Sequence, residues 1–319
     1  MMFGSNTLGN GWVLPADDAA ITAAMELLRS GQIVAIPTET VYGLAADASN
    51  ADAVAKIYAA KGRPDFNPLI VHVADQSAAE NLAEFSPMAH QLAQAFWPGP
   101  LTLVLPLRPD ADIAGAVTAG LPTIALRCPA HPVMQALLKK TGLNIAAPSA
   151  NKSGGISPTR AEHVLAGLGG AVPMILDGGP CSAGLESTIV AVRDNGWQIL
   201  RPGPVTAADI ERVLGTSPLA ASGDNIEAPG QLASHYAPSK AVRLNAIQPE
   251  PGEWHIGFGA MEGNDNLSAS GDLAQAAANL FDALHRADAS AALSISVAPI
   301  PHEGIGVAIN DRLQRASIR

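Results

Sequence analysis

Apolar residues Ile21, Met25 and Leu28 recur at helical spacing behind the polar pair Asp17 and Asp18. The spacing predicts a helix that stops at Gly31. The short apolar run 33–37 (IVAIP) follows as a buried strand. Asn50 or Asp52 opens a second helix with Val54, Ile57 and Tyr58 inward, and residues 69–73 (LIVHV) read as a strand. Ser86 before Pro87 has the order of a cap and a first helical turn. Runs 101–107 and 123–128 read as strands, and His131 with Pro132 opens a helix ending near Gly142. Residues 144–151 begin as a strand and end as a polar loop. Thr159 to Glu162 and Thr206 to Asp209 fit capping boxes. Runs 174–179, 187–192 and 197–203 are further strand candidates.

Several of these strands follow one another with no helix between them. The pattern therefore predicts an α/β fold with a twisted, mixed sheet rather than a purely doubly wound one. Residues 1–14 read as a loose N-terminal arm, and 15–215 as the first domain. Ser, Gly, Pro and Ala dominate 216–240, which read as a linker. Residues 241–319 form a small second α/β domain near the lower size for independent folding. Its strands are expected at 241–246, 254–260 and 293–299. One helix runs from Asp272 to Arg286 with Leu273, Ala277, Leu280 and Leu284 on one face, and a last helix covers 304–316. Gly257, Gly259 and Gly263 lie one residue off a dinucleotide fingerprint and read as turn glycines.

Composition narrows the class. The 319 residues are 48% hydrophobic and 15% charged, which is the profile of a well-cored globular protein. A net charge of −10 argues against a basic nucleic-acid module, so any RNA contact needs a local patch. Cys128 and Cys181 are the only cysteines, which fits a reducing compartment and excludes a disulfide framework. The first twelve residues lack the basic start and apolar core of a signal peptide, and no apolar run is long enough to span a bilayer. The expected location is cytoplasmic. Histidines and cysteines are scattered without metal-site spacing, and there is no nucleophile elbow.

Candidate chemistry lies at predicted strand ends, where ligands of α/β sheets gather. Thr38, Glu39 and Thr40 follow the strand ending at Pro37. Lys61 and Arg63 flank Gly62 in KGRPDFNP, and Asn67 adds an amide. This stretch reads either as a solvated basic turn pairing with Asp65 or as a phosphate site. His72 sits within an apolar strand, where a satisfied core imidazole is the plainer reading. Arg127 closes an apolar strand, so its charge must be paired or line a cleft. Ser149 and Asn151, two apart, share one face of an extended segment that leads to Gly154, Gly155 and Ser157. Ser187 and Arg201 lie at further strand ends. Three or four cations beside several hydroxyls suit a polyphosphate and a small carboxylate, which favours a nucleotide-dependent enzyme.

The ordered stretches IPTETVYGLAADA, KGRPDFNPLIVHV, PGPLTLVL, TIALRCPAHP, APSANKSGGISPT and GLESTIV…ILRPG resemble those of the YrdC-type threonylcarbamoyl-AMP synthases over about residues 15–208. PGQLASHYAP (229–238) and the added domain, read as a small Rossmann-like unit, resemble the long two-domain form. The resemblance implies that L-threonine, bicarbonate (or CO2) and ATP condense to threonylcarbamoyl-AMP and pyrophosphate. A downstream tRNA threonylcarbamoyl-transfer enzyme complex would then modify the adenosine next to the anticodon. It implies ATP contacts at Lys61, Arg63, Asn67, Thr123, Ser149, Asn151, Ser157 and Arg201, with Tyr236 reaching back from the linker. It places L-threonine against Thr40, His72, Arg127, the backbone of Ala147, and Ser187. Mg2+ would accompany ATP, with no metal ligand assigned to a protein side chain. No residue stands out as a nucleophile, and the chemistry needs none, only orientation and charge neutralisation. Two other readings stay open: an RNA-binding module, and a carbamoyl-transfer relative with another acceptor.

Overall fold

The coordinates are those of a computed structural model, which describes residues 12–220, 227–230 and 235–318. The chain enters through β1 (Trp12–Pro15), α1 (Asp18–Arg29), β2 (Val34–Ile36), β3 (Gly43–Asp47) and α2 (Ala51–Lys61). It continues through β4 (Ile70–His72), α3 (Gln76–Glu80), α4 (Pro87–Phe96), β5 (Leu101–Pro106), α5 (Gly115–Thr118) and β6 (Thr123–Arg127). Then come α6 (Pro132–Thr141), β7 (Ile145–Ala146), α7 (Ala161–Leu168), β8 (Met174–Asp177), β9 (Thr188–Arg193), β10 (Gly196–Arg201) and α8 (Ala207–Leu214). These ten strands form one sheet in the order β1-β8-β2-β3-β7-β4-β6-β5-β9-β10. Pairing is mixed: β4 runs parallel to β6, while β2 with β3 and β5 with β6 are antiparallel.

Strand alternation builds a core on each face of this sheet. Val34 and Ile36 pack with Ile21, Leu28, Met134 and Leu137 of α1 and α6. Ala35, between them, faces the cluster that includes Val54, Ile57, Leu92 and Val164 of α2, α4 and α7. Caps set most helix starts. Asp17, Asn50 and Ser86 each accept a backbone N–H at the head of α1, α2 and α4, and Thr206 with Asp209 closes a capping box on α8.

Three expectations differ. Residues 12–15, assigned mostly to a loose arm, form β1 in parallel register with β8, because the edge of β8 offers unpaired backbone groups there. The capping box expected at Thr159 is absent. Arg160 is the N-cap with no side-chain bond, and the Thr159 N–H donates to His163 Nδ1. The start of the expected linker is laid on β10: Trp197 Nε1 donates to Thr216 O, and Leu219 N to Trp197 O.

The second unit contains β11 (Ala241–Arg243), β12 (Glu253–Gly257), β13 (Asp265–Asn266), α9 (Leu273–Ala289), β14 (Ser294–Val297) and α10 (Gly306–Ser317). Its four strands are all parallel, in the order β11-β14-β12-β13. Its core is shared. Val41, Ile156 and Leu185 of the first domain and Tyr236 of the linker join Leu280, Phe281, Ile309 and Leu313 in one buried cluster. Of the three glycines read as turn glycines, Gly259 is one, at φ +60°, whereas Gly257 ends β12 under Met261 O and Gly263 packs against His255 O of β12, where a Cβ would not fit.

Candidate active site

The carboxyl ends of β4 and β6 are side by side, and their register pairs His72 with Arg127. The loop from β2 to β3 folds over them. There the Thr38 hydroxyl donates to Val41 O at 2.7 Å, so Thr40 supplies the hydrogen of the 2.8 Å Thr38–Thr40 contact. Arg127 Nη1 donates to Thr40 Oγ1 at 2.8 Å, and its Nε to Gly99 O. Arg127 Nη2 lies 2.7 Å from Glu39 Oε1, but off the hydrogen-bonding axis. Burial would raise the Glu39 pKa, but the Arg127 charge prevails and holds it below the usual carboxylate range. Burial, then Arg127, pushes His72 down to about 3, so its imidazole is neutral.

The second wall is cationic. Gly62, at φ +58°, ends α2 in the left-handed conformation and turns the chain immediately after Lys61. Lys61 Nζ donates to the carbonyls of Ser149 and Asn151, both at 2.5 Å. Arg63 donates to the carbonyls of Asn67 and Pro68 at 3.2 and 2.8 Å. Both cations are buried, at 3% and 9% exposure, which rules out a solvated basic turn. Burial pushes Lys61 well below the ordinary lysine range, and Arg63 adds to this. Burial likewise brings Arg63 down to about 10. Arg201, at the end of β10, donates to Ser187 O and to Ser187 Oγ, and Thr102 shares a 2.7 Å hydrogen bond with the same hydroxyl.

The third wall is the linker. Pro229, Gly230, His235 and Tyr236 line the same cleft as Thr40, Arg63, His72, Arg127, Ala147, Ser149, Ser187 and Arg201. Residues 231–234 of the PGQLASHYAP stretch lie outside the described residues. Ala237 N donates to Gly154 O, tying the linker to the loop beyond Ser149. Several buried polar atoms around the cleft have no hydrogen-bond partner: Asn67 Oδ1, His72 Nδ1, Asn151 Oδ1 and His235 Nδ1. Such atoms are costly unless a ligand or water meets them. Among the described residues no group of three His, Cys, Asp or Glu side chains is placed to hold a metal ion.

Two family models match the chain. The Sua5/YciO/YrdC model, described as "Telomere recombination", matches residues 26–203, and "Threonylcarbamoyl-AMP synthase, C-terminal domain" matches 205–317. The chain belongs to the Sua5/YrdC family. It is 43% identical to a threonylcarbamoyl-AMP synthase of Bacillus subtilis, over 95% of this chain and 94% of that one. A Pyrococcus abyssi threonylcarbamoyl-AMP synthase is 38% identical over 93% of this chain and 94% of its own length. The crystal structure of P. abyssi Sua5 complexed with L-threonine superposes with a TM-score of 0.87 at 36% identity, covering 98% of each chain.

Not every residue that family resemblance singles out opens on the cleft. Lys61, Asn67 and Asn151 stand in the wall behind it. Thr123 starts β6 at the end opposite Arg127, level with Pro68 if the β4–β6 register is extended. Ser157 is fully buried, and its hydroxyl is taken by Glu186 Oε1. Glu186 itself lines the cleft and was not anticipated, although a charge just before the apolar run STIV was a usable signal. Arg312 was also missed. It is fully buried on α10 between Ile309 and Leu313, a lone charge inside an apolar helical stripe.

Proposed function

We propose that this protein condenses L-threonine, bicarbonate (or CO2) and ATP into threonylcarbamoyl-AMP and pyrophosphate. The product would pass to a tRNA threonylcarbamoyl-transfer complex that modifies the adenosine next to the anticodon. The observation that carries this reading is the meeting, in one cleft, of a cationic corner suited to a carboxylate with a cationic wall suited to a polyphosphate. Arg127, Thr40 and His72 make the corner. Arg63 and Arg201, backed by Lys61, make the wall.

In this reading the threonine carboxylate pairs with Arg127, whose free Nη2 capacity faces away from ideal alignment with Glu39. The neutral imidazole of His72 has an unused Nδ1 for the threonine side. The threonine amine adds to CO2, losing a proton, and a carbamate forms. A carbamate oxygen then bonds to the α-phosphorus as the bond to the pyrophosphate oxygen breaks. Lys61, Arg63 and Arg201 balance the charge that develops on the leaving pyrophosphate. Magnesium would accompany the nucleotide and share with these cations the neutralisation of its phosphate charge. Buried walls and the linker keep water from the labile carbamate.

The test is pyrophosphate release with ATP, L-threonine and bicarbonate, each omitted in turn, with threonylcarbamoyl-AMP detected by mass. Release that needs all three supports the reading, and release that ignores threonine overturns it.

A further inference from the structure

Glu186 introduces a negative charge into the wall of a cleft whose other charged lining residues, Arg63, Arg127 and Arg201, are cations. It is 6% exposed and lies immediately before the Ser187 that Arg201 holds. Both its oxygens are occupied: Ser157 donates to Oε1, and Arg312 Nε donates to Oε2 at 2.8 Å. Burial alone would favour the neutral acid, but Arg312, then Arg201 and the Ser157 bond, keep Glu186 ionised.

Arg312 belongs to the second domain. Its side chain is fully buried and does not line the cleft. Its Nη2 donates to Pro202 O at 2.9 Å, its Nη1 pairs with Asp311 at 2.6 Å, and its guanidinium carbon lies 5.1 Å from the centre of the Tyr236 ring. Tyr236 is also packed by His235 and Phe281, and its φ is +63°, a conformation that a tyrosine holds only when its surroundings fix it. One side chain from α10 therefore touches two cleft-lining residues, Glu186 and Tyr236, on the side where Arg63 and Arg201 stand.

We propose that Arg312 is a positioning residue for the nucleotide half of the site. From the second domain it neutralises Glu186 and seats Tyr236, so that the wall facing the triphosphate carries no uncompensated negative charge. This gives the second domain a defined part in substrate binding. The inference rests on the reading of the cleft as an ATP and threonine site.

Without Arg312 the Glu186 carboxylate faces the polyphosphate with only the Ser157 hydroxyl and the charge of Arg201 to offset it. Like charges in a buried setting repel strongly, and the contacts of Arg312 reach Glu186, Tyr236, Pro202 and Asp311 rather than Arg127, Thr40 or His72. The loss should therefore fall on ATP.

The experiment compares Arg312→Met, Arg312→Lys and the double variant Arg312→Met with Glu186→Gln, in steady-state kinetics and by calorimetric ATP binding. Arg312→Met is expected to raise the KM for ATP tenfold or more while changing that for threonine less than twofold. Adding Glu186→Gln is expected to recover most of the loss, because it removes the charge that Arg312 had balanced. Arg312→Lys keeps the charge but not the planar fork, and should raise the ATP KM two- to fivefold. It provides the same comparison if the methionine variant does not fold. Equal losses for both substrates without rescue by Glu186→Gln would reduce Arg312 to a structural role and overturn the proposal. An ATP KM unchanged in both single variants would overturn it as well. If the wild-type protein binds ATP but does not require threonine, the functional reading fails, while the calorimetric comparison still decides the role of Arg312.

Discussion

Arg127 and Glu39 form a buried ion pair at the end of β6, 2.7 Å apart and with side chains only 4% and 10% exposed. The pair holds the guanidinium at the corner of the cleft while leaving part of its donor capacity unspent. Breaking a buried pair from one side leaves the other charge uncompensated, at a cost of about 3–5 kcal/mol. Arg127→Met should lose that much stability in denaturant melts and should no longer saturate with threonine. Adding Glu39→Gln should recover part of the stability but none of the threonine binding. Recovery of both together would mean that Arg127 only supports the fold.

Lys61 predicts a proton signature. In the ligand-free protein its burial and the neighbouring Arg63 charge disfavour the ammonium form. A bound triphosphate favours that form and raises the pKa, so ATP binding should take up protons wherever the ligand-free Lys61 is partly deprotonated. Calorimetry in buffers of different ionisation enthalpy measures this directly. Lys61→Gln should abolish the uptake, and proton release by the wild type would contradict a part for Lys61, from behind the wall, in balancing the phosphate charge.

Gly230 tests the linker. Its φ is +85°, and a Cβ there would stand 2.9 Å from both Arg201 Cδ and the Tyr236 hydroxyl. Gly230→Ala should therefore displace the linker from the cleft. The expected result is a several-fold rise in the ATP KM with a melting temperature within a few degrees of wild type. Unchanged nucleotide kinetics would show that Pro229, Gly230 and Tyr236 line the cleft without serving it.

Buried histidines predict acid sensitivity. His72 and His235 are pushed down to about 3 and His285 to about 4, chiefly by burial, from an ordinary value of 6.5. The unfolded chain binds protons at these sites below pH 6.5 while the fold does not. Stability is therefore complete above that pH and falls as the pH drops toward 3–4, by up to about 1.4 kcal/mol per pH unit for each histidine. Urea midpoints measured between pH 7 and 5 should decline, and less so in His285→Gln. A flat profile would mean that these rings protonate freely in the folded protein.

Much of the site was legible because its chemistry is written in local order. Thr40, Lys61, Arg63, Arg127 and Arg201 are charges or hydroxyls beside the ends of apolar runs, and such positions must be paired or line a cleft. Helix starts at Asp17, Asn50, Ser86, His131 and Thr206 were equally local. The strand β3 was not read, because Gly43–Asp47 is rich in small residues and shows no alternation. The strand β1 went unread because only its partner β8 gives it a reason to be extended.

The sequence by itself determined the mixed α/β class, the division into two units, the family and most of the cationic residues, since each is encoded by neighbours a few positions apart. Only the tertiary structure decided that Lys61 spends its ammonium on the carbonyls of Ser149 and Asn151, and that Glu39 faces Arg127. It alone decided that Arg312, 126 positions from Glu186, meets that cleft-lining carboxylate. Periodicity reports which face of an element is buried, but not which distant charge it meets there. That pairing is set by how the two domains share one core, where a buried charge persists only if the fold brings it a partner.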